Sequence, residues 1–121
     1  MKTTIKLICG ILLSGLLLAA TGAHAQAPVT KVTLENEKVK VISAEFKPGD
    51  ITPTHSHPDH VVYVISGGKM EITEQGKQAQ TFDFKEGDTM WMPAVTHTVK
   101  NIGSTEVKIV VVELKQATAT K

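Results

Sequence analysis

An all-β fold, a sandwich or a barrel, is predicted for this 121-residue chain by three features. Beyond Ala25 no stretch carries a helical period. Apolar and polar residues instead alternate in short runs, as strands with one buried face require. Gly, Pro, Asn and Asp clusters separate those runs at even spacing.

The elements follow in order. Residues 29–34 alternate and read as a first strand, with a turn at 35–38. Val39–Phe46 is a second strand whose apolar phase changes between Val41 and Ile42, which suggests a bulge or twist. Pro48-Gly49 marks a turn, and residues 52–57 are extended, with Pro53 pushing them to a sheet edge. Residues 61–65 form a strongly β-branched run closed by Gly67-Gly68. Residues 69–74 and Gln80–Phe84 pair about a hairpin turn at 75–77. After a turn at 85–88 come Thr89–Met92, a tight corner at 93–96, a short strand at 97–100 and another turn at 101–104. Val107–Leu114 is the last strand, and the polar tail 116–121 is expected to fray.

Residues 1–25 read as a cleavable secretory signal peptide. Lys2 and Lys6 precede an apolar segment too short for a membrane span, and Ala23-His24-Ala25 fits small-x-small cleavage before Gln26. The expected domains are therefore a signal peptide at 1–25 and one β-domain at 26–121, periplasmic or secreted, with no stable membrane insertion after cleavage. The single cysteine, Cys9, leaves with the leader, so disulfides and thiolate chemistry are excluded from the remainder. All 13 basic residues are lysine. Once Lys2 and Lys6 are removed the acids are in slight excess, and no basic patch points to nucleic acid. The lack of arginine argues against a bidentate clamp for a phosphorylated substrate. A domain this small has limited core, so a homodimer through edge strands is expected.

The functional signal is the placement of histidine. Four of the five histidines fall in two stretches, His55-Ser56-His57-Pro58-Asp59-His60 and Pro93-Ala94-Val95-Thr96-His97. Residues two apart on a strand share a face, so His55 and His57 project side by side. A lone histidine in a β-protein is by default solvated or hydrogen-bonded. Three at these spacings point instead to a metal, because neutral imidazoles suit Zn, Fe, Ni or Cu. His60 has two readings: regular alternation places it opposite Val61, Tyr63 and Ile65, whereas a bulge at Pro58-Asp59 swings it inward as a fourth ligand. Tyr63 is a candidate proton donor if its hydroxyl hangs into the pocket. Asp59 reads as a solvated turn residue, and Glu45, Glu71, Glu74 and Glu86 as surface charges. Met70, Met90 and Met92 read as core gap-fillers, and Trp91 as core or a dimer contact. No catalytic triad, phosphate loop or carboxylate pair is present.

These two stretches resemble the paired motifs of small single-domain cupins. Gly49, His55, His57 and Gly68 fall in register with the first motif, and Gly87, Pro93, His97 and Asn101 with the second. Two positions depart. The first motif's glutamate is Val61, or Val62 with the longer spacing, and the glycine after Pro93 is Val95. The resemblance implies a jelly-roll barrel with His55, His57 and His97 converging from two strands on a divalent metal (Zn, Fe, Mn, Ni or Cu). Three functions stay open: a metal-dependent enzyme on a small organic molecule, a non-catalytic module holding a metal or small ligand, and a metal-free barrel working through its dimer surface. The missing glutamate favours the second somewhat.

Overall fold

The computed structural model describes residues 25–117. The expected signal peptide lies outside them but for Ala25, as does the end of the tail. Among the described residues nine strands run in chain order: β1 (Val29–Glu35), β2 (Val39–Phe46), β3 (His55–His57), β4 (His60–Ser66), β5 (Gly68–Glu74), β6 (Gln80–Phe84), β7 (Thr89–Met92), β8 (Val95–Asn101) and β9 (Val107–Leu114). They form two antiparallel sheets, one of five strands in the order β1-β2-β9-β4-β7 and one of four in the order β3-β8-β5-β6. The core lies between them, with Val64, Met70 and Val107 fully enclosed. Burying each such side chain contributes ~1.5–3 kcal/mol.

Register sorts the inner face of the five-stranded sheet into rows. At one end Lys40, Glu113, His60 and Met92 are successive partners across β2, β9, β4 and β7. Two residues along, Ile42, Val111, Val62 and Met90 form an apolar row, and Ala44, Ile109 and Val64 the next. The outer face carries its own apolar row, in which Leu34, Val41, Val112, Val61 and Trp91 are partners across all five strands.

That outer row explains two differences from the sequence-based expectations. β2 pairs with β9 without interruption, so it has no bulge; its change of phase arises because Val41 faces the outer row while Ile42, Ala44 and Phe46 face the core. The irregularity falls in β1, between Val32 and Leu34. Trp91 is 59% exposed and belongs to the outer face, not the core. Met70 does fill the core, and Met90 and Met92 pack against it.

Two turns of like sequence, Lys47-Pro48-Gly49-Asp50 and Lys85-Glu86-Gly87-Asp88, hold the strands leading to the two histidine stretches. In each, the glycine has positive φ (90° at Gly49, 85° at Gly87), where a side chain would be strained. In each, the aspartate carboxylate accepts from the lysine N–H, at 2.8 Å for Asp50 and 2.9 Å for Asp88. Asn101 is wholly buried; its amide donates to the carbonyls of Phe46 and Thr105 and accepts from Gly103 N–H.

Candidate metal centre

β3 is the edge strand of the four-stranded sheet, placed there after Pro53 as expected. Its neighbour is β8, and the register makes His55 and His97 direct partners. Strand alternation puts His57 on the same face as His55. The three rings consequently meet between the sheets: His55 Nε2 lies 2.9 Å from His57 Nε2 and 3.2 Å from His97 Nε2.

The opposite ring nitrogens decide what those atoms carry. His55 Nδ1 donates to the Pro53 carbonyl at 2.9 Å, and His57 Nδ1 faces a Glu113 carboxylate oxygen at 3.3 Å. These acceptors assign the protons to Nδ1 and leave a lone pair on each Nε2. Two lone pairs facing each other at 2.9 Å repel, and a cation between them removes the repulsion. Protonation of His57 and His97 is disfavoured. Burial and the neighbouring His55 push His57 below the usual imidazole pKa. Burial, then His55, His57 and His60, push His97 down to about 4. All of this favours neutral ligands.

The spacing fits a metal. Bonds of about 2.0–2.1 Å separate ligand nitrogens by about 3.3–3.4 Å at tetrahedral angles and about 2.8–3.0 Å at right angles. The observed 2.9 and 3.2 Å fall within that span. The ligand atoms of His55, His57 and His97 all lie within 4.8 Å of one another, so the cluster could hold a metal ion. His97 differs from the other two in its support, since its buried Nδ1 has no hydrogen-bond partner among the described residues.

His60 does turn inward and is 1% exposed, but by plain alternation in β4 rather than through a bulge. It comes from the other sheet, donates Nδ1–H to the Pro58 carbonyl at 2.8 Å and lies 4.7 Å from His57 ring to ring. It is not part of the converging group. Tyr63 is a correction. Being in phase with Val61 and Ile65 puts it on the outer face, 46% exposed, so its hydroxyl does not hang into the pocket. Asp59 clamps the corner, accepting from Ala94 N–H at 2.8 Å.

Glu113 was not singled out in the sequence. It follows Val107, Ile109 and Val111 in phase, and those three are buried, so period two places it inside. It is buried itself, and its bond to His57 crosses from one sheet to the other. A carboxylate thus stands at the site, although both positions of the motif glutamate hold valine.

Below the histidines the sheets enclose a cavity of about 450 Å³, with Ile42, Val62, Val111, Ile72 and Phe84 among its walls. Such a volume suits a small organic ligand.

Two packed antiparallel sheets with an imidazole cluster at one end of an apolar cavity define a small β-barrel with a candidate metal site. The chain belongs to the cupin domain family, whose model matches residues 42–113. Among solved structures it is similar to a cupin domain from Bordetella pertussis Tohama I, at 31% identity and a TM-score of 0.73, covering 78% of this chain and 100% of that one. It is similar to a double-stranded β-helix protein from Klebsiella pneumoniae, at 25% identity and a TM-score of 0.61, covering 77% of this chain and 76% of that one. An RmlC-like cupin from Methanocaldococcus jannaschii shares the fold, at 23% identity and a TM-score of 0.61, covering 77% and 84% of the two chains. No curated protein matches the chain.

Proposed function

We propose that this cupin binds one divalent cation through His55, His57 and His97 and presents it to a small organic molecule held in the cavity. The observation that carries the reading is the meeting of three Nε2 atoms at hydrogen-bonding separations, two of them on rings whose Nδ1 faces an acceptor. When bound, the metal supplies Lewis-acid polarisation at its open positions. The chain's own residues do the rest. Pro53 and Glu113 orient two imidazoles, Glu113 offsets part of the cation's charge, and the apolar walls hold the organic body away from water. Turnover is a second reading, favoured by Glu113, because a buried carboxylate beside the cluster provides the base that the motif positions lack.

Elemental analysis of the chain purified from its own host tests the proposal. Close to one divalent ion per chain is expected, and a metal-free protein overturns it. Redox-active iron with oxygen uptake would favour an oxygenase; zinc would favour lyase, isomerase or binding roles. The proposal includes export, which an intact mass beginning at Gln26 would support. It also assigns the outer apolar row to a second copy of the chain. Light scattering should then report a dimer that Trp91→Lys dissociates.

A further inference from the structure

Lys40 is the single cation on the cavity wall among the described residues. It points inward because β2 alternates, in phase with Ile42, Ala44 and Phe46. Its cross-strand partners are Glu35 on β1 and Glu113 on β9, so a carboxylate flanks it on either side. Ordinarily one of these would take the ammonium. Here both are engaged elsewhere: Glu35 bonds Lys115 Nζ at 2.8 Å, and Glu113 faces His57 at 3.3 Å. Among the described residues Lys40 forms no ion pair.

Glu35 feels Lys40 only as a weaker charge behind Lys115. A half-buried lysine whose two neighbouring carboxylates are bonded to other groups, and which lines an apolar cavity, is an anion site in waiting. Charge counting agrees. Three neutral imidazoles, one carboxylate and one ammonium cancel to zero, so a divalent cation leaves the site positive and short of an anion. The next row beyond Lys40 is Ile42, Val111 and Val62, which is wholly apolar. The cavity's remaining polar lining outside the histidines and Glu113 is the hydroxyls of Thr30, Thr52 and Ser56, with no second ammonium among the described residues. With no arginine in the chain, a compact point charge rather than a planar fork does the recognising.

We propose that the cavity takes a small aliphatic monocarboxylic acid, with Lys40 as the residue that selects the carboxylate and the apolar rows as the seat of its hydrocarbon body. This deepens the reading above and rests on the same cavity.

The test is a calorimetric titration of the full chain, metal-free and metal-loaded, with butyrate and hexanoate against their neutral amides, butyramide and hexanamide. In metal-free protein at least one acid should bind about tenfold more tightly than its amide, or about 1.4 kcal/mol. That preference should vanish in Lys40→Met and in Lys40→Gln and persist in Lys40→Arg, with metal content equal in all four proteins. Circular dichroism identifies any variant that fails to fold, and the remaining variants then decide. Acid and amide binding alike, neither acid binding, or a preference that survives loss of Lys40 would overturn the proposal. The two readings fail separately. A chain that takes up no metal but keeps the Lys40-dependent preference sinks the metal site alone. A chain that takes up metal but whose metal-free form shows no Lys40-dependent preference sinks only the acid.

Discussion

The two walls of the cavity both carry histidine, yet they are built differently. On the four-stranded side, His55, His57 and His97 direct their Nε2 atoms at one another. On the five-stranded side, His60 and Glu113 are tied to other partners, the Pro58 carbonyl and His57. One wall supplies the converging ring nitrogens, and the other supplies, in Glu113, the acceptor that orients one of the three rings. Both walls need pairing between distant strands, β3 with β8 and β4 with β9. The difference is that the converging histidines sit in short local motifs with turn residues beside them, whereas Glu113 sits in an apolar strand with no such marker.

Breaking the ligating wall should have the largest effect. His55 Nε2 is the atom nearest to both other rings, so His55→Ala should reduce metal content to background. Measured by competition with a chelator, affinity should fall further than the about 10–100-fold typical of lost outer contacts. Retained metal would disprove the ligand assignment.

On the supporting wall, Glu113→Ala removes the acceptor that orients His57 and should cost about 10–100-fold in metal affinity with the fold intact. Glu113→Gln keeps an oxygen acceptor and should cost less. Equal losses would mean that the carboxylate's charge, not its hydrogen bond, is what matters.

His60→Ala sharpens the comparison further. It deletes a buried ring and its bond to Pro58, so chemical denaturation should show a loss of about 1–3 kcal/mol. Metal affinity should stay close to that of the parent. A collapse like that of His55→Ala would make His60 a fourth ligand and end the division between the walls.

The last effect is on pH dependence in the metal-free chain. Unfolded, His97 takes up its proton near 6.5; folded, it does so only at about 4. Between these values the unfolded state binds more protons, so stability is full above about 6.5 and falls as pH drops towards 4. His57 shifts in the same direction. Urea midpoints measured at several pH values should show this slope, and His97→Gln should flatten it.

How much of this could be read from the chain follows from the same contrast. His-x-His on an edge strand, and a partner histidine after a proline corner, are local patterns, and alternation alone brings them to one face. Glu113 and Tyr63 were harder because their strands are apolar on both sides. Val61 to Ile65 is apolar without a break, and Val110 and Val112 are as apolar as Ile109 and Val111. Period two then separates two faces without saying which one is inside. The inside is fixed by pairing between distant strands, and the outer row of Leu34, Val41, Val112, Val61 and Trp91 is visible only once they pair.

This two-sided greasiness bears on how the barrel assembles. A strand displaced by one residue normally exposes its apolar set and is rejected. β4 and β9 would give up little apolar burial on such a slip, since Val61, Ile65, Val110, Val112 and Leu114 on their outer sides are good core residues too, Lys108 being the one exception in β9. What the slip does expel is His60 and Glu113. A mispaired barrel therefore lacks the carboxylate behind His57 and, under the proposed cation binding, holds the ion less well. By mass action the ion favours the correctly paired chain. Under that proposal the cation site would act as a proofreader for two strands whose own sequences tolerate the error.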